Sequence, residues 1–242
     1  MAVIFLFLIG VRMELNAFWT ELHARVAKYD LVCHPYYKAW SGGELSREDL
    51  REYATNYYHH VAAFPTYLAS FYARLNDGAF RRAVLENLAD EEGVSGGRPH
   101  SEMWLDFTEG MGADRDLARN GRPIAEIEAL IDHFRGVAQE GSAEQALAAF
   151  YAYESQVPRV AKEKARGLRE MYGADSRTCG YFTLHTTADV HHSNVWREQL
   201  SKQLKANPEA AAHALNAAEG AAKALWTALE GIEARRKARA AA

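Results

Sequence analysis

The sequence predicts an all-α protein, built as a bundle of seven or eight helices. Its 242 residues contain no run of alternating β-branched residues, the pattern of a half-buried strand. Helix-start signals recur instead, and the clearest is Ser46-Arg-Glu-Asp49, a capping residue followed by acidic first-turn residues. The joints between helical stretches are short and rich in glycine or proline. In such bundles, cofactor sites form from side chains on facing helices.

Four predicted helices occupy the first half of the chain. One opens near Met13, and the Ser46 cap opens a long amphipathic helix that Asn76-Asp-Gly78 ends. Residues 93–99 carry three glycines and Pro99, so we expect a loop there. The predicted ranges after the first helix are about 46–75, 79–92 and 100–110.

The second half of the chain predicts four more helices. One begins at Pro123, because proline fits the first turn of a helix. The longest contains Pro158, which has no N–H and must bend the helix. The last begins at Pro208, is rich in alanine and ends in a basic run that suits a helix C-terminus. The predicted ranges are about 123–139, 142–172, 176–204 and 208 onward.

Length and composition favour a single domain over residues 13–242. A chain of 242 residues with 48% hydrophobic and 25% charged residues can bury a substantial core. Residues 1–12 are apolar, but they lack the basic start of a signal peptide and are too short to span a bilayer. We interpret them as an extension or a disordered tail. The net charge of −4 gives no footprint for nucleic acid. Two cysteines fit a reducing cytoplasm, and we expect both to be buried thiols.

The segment His185-Thr-Thr-Ala-Asp189-Val-His191-His192 carries the strongest functional signal. Read as one helix, it places His185, Asp189 and His192 at positions i, i+4 and i+7, on one stripe. Two imidazoles and a carboxylate that face one patch form half of a site for iron, manganese or zinc. The alternative is that each histidine is a core residue satisfied by hydrogen bonds.

Two upstream stretches offer further ligands. Glu154 lies in an apolar, aromatic run, where an ionised carboxylate is costly unless it is paired or metal-bound. The alternative is a partly exposed Glu154 that pairs with Arg159. Glu91 precedes a glycine-rich loop that can turn His100 back toward it. The alternative here is an acidic helix end followed by a loop histidine.

Together these residues supply three carboxylates and three imidazoles, a set suited to two divalent ions. Two divalent irons nearly neutralise three carboxylates, as a buried site requires. Mixed oxygen and nitrogen ligands suit iron or manganese, and the lack of a cysteine ligand disfavours structural zinc. We expect Glu154 to bridge the two ions. The candidate ligands are Glu91, His100, Glu154, His185, Asp189 and His192.

Three motifs make the chain similar to a known family, the CADD-like proteins (chlamydia protein associating with death domains). They are Tyr153-Glu154-Ser-Gln-Val-Pro158-Arg, Asp90-Glu91-Glu92 ahead of His100-x-x-x-Trp104, and His185-x-x-x-Asp189-x-x-His192. The likeness extends from about Asn16 to Leu200. It implies a haem-oxygenase-like bundle, related in fold to PqqC and TenA, with a nonhaem dimetal centre that activates O2.

The resemblance also implies roles for single residues. The six candidate ligands fall on the family's ligand positions, although the loop ahead of His100 is longer than the family pattern, which leaves Glu92 as an alternative ligand. Tyr37 falls on a tyrosine that the family consumes, Tyr53 on a second functional tyrosine, and Lys164 on the proposed amino donor. From the residues alone, these tyrosines would be core packing and Lys164 a solvated lysine.

We therefore expect a cytoplasmic oxidase that forms para-aminobenzoate for folate synthesis from its own Tyr37, in a single turnover. Its cofactors would be two metal ions, either two irons or one iron and one manganese, with O2 and an external reductant. Two alternatives stay open: a dimetal oxygenase that acts on an external small-molecule amine or acid, and a helical interaction scaffold without catalysis. No nucleic-acid or membrane partner is expected, and the sequence leaves a homodimer open.

Overall fold

The computed structural model describes residues 13–94 and 96–241. The predicted extension, residues 1–12, lies outside this part of the chain. The described residues form twelve α-helices, two short 3-10 helices (Leu31–Cys33 and Pro208–Ala210) and no β-strand. The α-helices are α1 (Leu15–Ala27), α2 (Pro35–Gly42), α3 (Arg47–Arg74), α4 (Ala79–Glu91), α5 (His100–Gly110), α6 (Arg115–Asn120), α7 (Ala125–Glu140), α8 (Ala143–Glu154), α9 (Val157–Glu170), α10 (Gly180–His185), α11 (Ala188–Ala206) and α12 (Ala211–Ala240).

The predicted all-α fold is confirmed, and two of the four additional helices come from breaks in long predicted ones. The predicted helix 142–172 is two helices, α8 and α9, because Pro158 cannot donate to the carbonyl of Glu154, where α8 ends. The predicted helix 176–204 is also divided, since α10 ends at His185 and α11 begins at Ala188. The short helices α2 and α6 have no counterpart in the prediction.

Helix α8 lies at the centre of the bundle. Every residue from 146 to 154 is buried, and α8 packs against α11 and α12. Four buried alanines in α8 let these neighbours approach closely, while Phe150 and the aromatic residues after it fill the space between helices. Glu154, the last residue of α8, therefore ends inside the protein and not at its surface.

Helix α3 forms a second wall of the interior. It begins with the predicted capping box, in which Ser46 and Asp49 each accept a hydrogen bond from the other's backbone N–H. Along its length α3 packs against α4, α5 and α7. The buried face of α3 carries Tyr53 and Tyr57, and Tyr57 lines the same interior cavity as Tyr153 near the end of α8.

Two further expectations concern the chain as a whole. No helix in the described residues combines the length and the apolar character needed to cross a membrane. Cys179 is buried as expected, whereas Cys33 is exposed, so the expectation of two buried thiols is wrong for Cys33. Cys33 ends a short 3-10 helix at the bundle surface, which explains its exposure.

Candidate metal centre

The six predicted ligands meet inside the bundle, and each is at most 5% exposed. Five of them stand at or next to a helix end, where the backbone turns and side chains of different helices can converge. Glu91 ends α4, His100 begins α5, Glu154 ends α8, His185 ends α10 and Asp189 is the second residue of α11. His192 follows in the first turns of α11.

The turn between α4 and α5 explains how His100 returns to Glu91. Gly93 has a φ of +67°, and a Cβ at this position would lie 2.6 Å from the carbonyl carbon of Arg98, so only glycine fits. Arg98 in turn lies 2.6 Å from the carboxylate of Asp106, a buried residue of α5. The loop is thus folded onto itself and fastened to the helix that it precedes.

A first group of candidate ligands consists of Glu91, His100 and His185, whose ligand atoms all lie within 4.8 Å of one another. Nδ1 of His100 lies 2.8 Å from Oε2 of Glu91. The two imidazole rings are 4.6 Å apart between centroids and nearly perpendicular. Nδ1 of His185 lies 2.7 Å from the carbonyl oxygen of Tyr181, which leaves Nε2 of His185 as its ligand atom.

A second group consists of Glu91, Glu154 and His192, again with ligand atoms within 4.8 Å of one another. Nδ1 of His192 lies 4.0 Å from Oε1 of Glu154 and 3.5 Å from Oδ1 of Asp189. Asp189 therefore adjoins this group. The carboxylate common to both groups is that of Glu91, whereas the sequence led us to expect Glu154 in the bridging position.

The donor atoms of this site fit a metal ion. Among the described residues, Nδ1 of His100, Oε1 of Glu154 and Nδ1 of His192 are buried without a hydrogen-bond partner. The 2.8 Å contact of His100 with Glu91 lacks hydrogen-bond geometry. Two ligands of the same ion approach each other in this way, because both point their electron pairs at the ion. Buried polar atoms are costly when unpaired. A divalent ion between them removes that cost, and the oxygen and nitrogen set suits iron or manganese.

The charges of the protein groups point to the same need. Burial raises the pKa of Glu154 well above its usual range, and the nearby carboxylate of Asp189 adds to the rise against the effect of His192. Burial also opposes ionisation of Glu91, yet its contact with His100 lowers the pKa of Glu91. Although burial lowers the pKa of His192, its carboxylate neighbours Asp189 and Glu154 raise it to about 10. The site thus has an excess of negative charge that cations would balance.

The structure corrects several details of the sequence prediction. His185, Asp189 and His192 do not form a stripe on one helix, because the backbone leaves helical geometry at Thr187, with φ −124° and ψ −39°. Glu154 does not pair with Arg159, which instead binds Asp30 at 2.9 Å.

The alternative ligand Glu92 is exposed, whereas Glu91 is buried and contacts His100. Glu91 is thus the acidic residue of this segment that reaches the site.

Tyr37, Tyr53 and Lys164 form a second buried cluster. Nζ of Lys164 donates to the hydroxyl of Tyr37 at 2.8 Å and to that of Tyr53, and the two hydroxyls lie 3.0 Å apart. Lys164 is 5% exposed, whereas Lys162 on the same helix is exposed, so the alternative of a solvated face holds only for Lys162. Burial holds the pKa of Lys164 well below its usual range. Burial thus favours the neutral amine, which carries a free electron pair.

Two neighbouring cavities lie at these sites, one beside the candidate metal centre and one beside the cluster. One is lined by Glu91, Glu154, His185 and Asp189, and the other by Tyr37 and Lys164.

Tyr153 and Tyr181 line both cavities and so form the wall between them. The sequence prediction missed these two residues, although Tyr153 directly precedes Glu154 and Tyr181 stands one helical turn before His185.

Sequence reasoning also missed Trp196. Its Nε1 donates a hydrogen bond to Oε2 of Glu154 and leaves Oε1 of that carboxylate free to bind an ion. Trp196 is fully buried and its ring lies 5.6 Å from that of Phe150 between centroids. The only sequence signal is its place one turn after His192 in a helix that already carries two candidate ligands.

Comparisons with known proteins give a family and a fold. The family model described as an iron-containing redox enzyme matches residues 51–226. A 4-aminobenzoate synthase from Nitrosomonas europaea is 36% identical over 231 residues, which cover 91% of this chain and 92% of that protein. A 4-aminobenzoate synthase from Chlamydia pneumoniae is 35% identical over 194 residues, which cover 79% and 86%. A solved TenA homologue from Pseudomonas syringae pv. tomato matches with a TM-score of 0.79 and 18% identity, over 92% of this chain and 96% of its own.

Proposed function

This chain belongs to the family of iron-containing redox enzymes, and from that premise we propose that it is an O2-dependent dimetal oxidase that forms para-aminobenzoate. The observation that carries the proposal is the buried amine of Lys164, hydrogen-bonded to the hydroxyl of Tyr37 beside the candidate metal centre. The names of the relatives support the same product, 4-aminobenzoate.

We propose that two ions are held by the two groups described above. Glu91, His100 and His185 would hold one ion, and Glu91, Glu154 and His192 the other, with Asp189 beside the second. Two irons, or one iron and one manganese, supply the reduction of O2 when bound, and an external reductant supplies electrons. Since the metals carry the oxygen chemistry, the protein contributes position, a buried environment and the reacting side chains.

The position of Lys164 supports its proposed role as the source of the nitrogen. In para-aminobenzoate the amine stands para to the carboxyl group, and in tyrosine the hydroxyl stands para to Cβ. Nζ of Lys164 lies 2.8 Å from the hydroxyl oxygen of Tyr37 and 4.1 Å from the centre of its ring. A neutral, desolvated amine is a competent nucleophile at that end of the ring. Formation of the product would exchange the ring C–O bond for a C–N bond with Nζ.

The remaining bond changes follow from comparing side chains with product. The Nζ–Cε bond of Lys164 and the Cα–Cβ bond of Tyr37 would break, and the ring oxygen would leave as water. Cε would end as an aldehyde and Cα of Tyr37 would take up a hydrogen. Cβ would be oxidised to a carboxyl group, with O2 supplying the oxygen and accepting the electrons. The hydroxyl of Tyr53 lies 3.0 Å from that of Tyr37 and accepts a hydrogen bond from Nζ of Lys164. It can therefore accept or return a proton at the Tyr37 hydroxyl or at Nζ. The aromatic cage around Nζ, which includes Trp40 and Phe182, excludes water from these steps.

The proposal is tested by the origin of the product's atoms. Protein labelled with ring-¹³C tyrosine and ε-¹⁵N lysine, loaded with iron and exposed to O2 and a reductant, should release para-aminobenzoate that contains both labels. Tyr37→Phe should release none and keep its metal content. Tyr36→Phe is the matched control, because Tyr36 is a buried neighbour whose hydroxyl binds the backbone oxygen of Asp49 and not Lys164.

Unlabelled product, or more than one product per chain, would refute the use of Tyr37 as substrate. Repeated turnover on an added amine or acid would favour an external substrate instead.

We further propose that one domain, beginning at residue 13, performs this reaction in the reducing cytoplasm, where Cys33 and Cys179 stay free thiols.

A further inference from the structure

Asp90 holds the outer nitrogen of His192, the imidazole of the second group of candidate ligands. Oδ2 of Asp90 lies 3.3 Å from Nε2 of His192. Asp90 belongs to the last turn of α4, next to Glu91, and its side chain is 49% exposed. His192 on α11 is 2% exposed, so the contact joins a partly solvated carboxylate to a buried ring.

This contact decides which nitrogen of His192 can bind an ion. A carboxylate can only accept, so Nε2 of His192 must carry the hydrogen, and the electron pair of the neutral ring is then on Nδ1. Nδ1 is the atom that points into the site, where it lies 4.0 Å from Oε1 of Glu154. The proton and the orientation of the ring are therefore both fixed from outside the site.

The surroundings leave Asp90 available for this task. Asp90 and His192 both line an open cleft at the outer side of the centre, together with Arg98. Arg98 could compete with His192 for the carboxylate of Asp90, but Arg98 binds Asp106 at 2.6 Å. The other group of ligands is oriented differently, because His185 is held by the backbone carbonyl of Tyr181 at 2.7 Å.

We propose that Asp90 is a positioning residue that controls the affinity of one of the two metal ions, the ion held by Glu91, Glu154 and His192. The inference rests on the proposed two-ion centre and adds a residue that does not itself bind metal. The two ion sites then differ in how their histidines are held. The carboxylate of Asp90 contacts the outer nitrogen of His192, whereas the backbone carbonyl of Tyr181 contacts that of His185.

The test is an anaerobic titration of the metal-free protein with Mn²⁺, followed by the electron paramagnetic resonance of the free ion. Wild-type protein should bind two ions. In Asp90→Ala, one dissociation constant should rise by about 10- to 100-fold, the usual effect of losing such a partner, while the other stays unchanged. Asp90→Asn should recover part of the affinity, because its amide oxygen can still accept from Nε2 of His192.

The matched control is Glu92→Ala, which removes an exposed carboxylate two residues along the same segment. It should leave both constants unchanged, and the circular dichroism of all variants should match that of wild type. Two unchanged constants in Asp90→Ala, or an equal loss at both sites, would overturn the inference. Wild-type protein that binds fewer than two ions would overturn the inference and the dimetal centre together. Two bound ions without para-aminobenzoate would refute the proposed product and leave the role of Asp90 standing on the measured constants.

Discussion

Replacement of Lys164 by methionine should change how the stability of the metal-free protein depends on pH. Lys164 is 5% exposed, and burial holds the pKa of its amine well below the ordinary value. Methionine has a similar length and no charge, so it can fill the same space among Tyr37, Tyr53 and Trp40. The variant loses two hydrogen bonds, but the tyrosine hydroxyls keep their mutual contact at 3.0 Å.

The magnitude follows from proton linkage. An unfolded lysine has a pKa of about 10.4, so wherever the folded amine is neutral between about pH 8 and 9.5, the unfolded chain holds a proton on Lys164 that the folded chain lacks. The free energy of unfolding must then rise with pH by about 1.36 kcal/mol per unit, or about 2 kcal/mol over this range. His192 contributes the opposite slope, because its pKa is raised to about 10, but it does so equally in wild type and variant. The difference between the two proteins isolates Lys164.

The assay is urea denaturation of chelator-treated protein, followed by tryptophan fluorescence at pH 8, 8.5, 9 and 9.5. The stability of Lys164→Met relative to wild type should fall by about 2 kcal/mol across this series, since only wild type gains from the rising pH. Lys162→Met is the control, because Lys162 lies on the same helix and is exposed. A difference that stays constant with pH would mean that Lys164 is charged in the folded protein, and the nucleophilic amine would then be refuted.

Two other substitutions test the packing around the site. Trp196→Phe keeps a ring against Phe150 but removes the hydrogen-bond donor to Oε2 of Glu154. The Mn²⁺ titration should then show one of the two ions bound about 10-fold more weakly. Unchanged binding would contradict the role given to Trp196. Gly167→Ala would place a Cβ 2.8 Å from Cδ1 of Trp40. Urea denaturation should therefore show that the free energy of unfolding falls by about 1–3 kcal/mol. An unchanged free energy of unfolding would mean that Trp40 can move away from α9.

The sequence predicts well what depends on local chemistry. The cap at Ser46 sets the start of α3, and Pro158 marks the place where the helix through Glu154 must end. An acidic residue in an apolar stretch is visible without a structure, so Glu154 could be identified as a candidate ligand from its neighbours alone. The histidines near residue 190 were also identified as candidates, although the single helix assumed for their spacing is broken at Thr187.

What the sequence could not predict depends on distant parts of the chain. The break at Thr187 contains no glycine or proline, and threonine is only a mildly poor helix former, so the sequence carries no strong signal for a helix end there. Lys164 and Lys162 look alike in sequence, and only the positions of α2 and α3 bury one of them against Tyr37 and Tyr53. The hydrogen bonds of Asp90 and Trp196 to ligand residues likewise join helices that are far apart along the chain.

The placement of the candidate ligands at helix ends has a consequence for how cells maintain this protein. Ions bound there would tie five separate helices together at one junction, so metal binding would be coupled to the stability of the fold. At an ion concentration 100 times the dissociation constant, each ion adds about 2.7 kcal/mol to the free energy of unfolding. Iron limitation would then reduce the amount of the protein as well as its activity, because chains without ions would be better substrates for proteases.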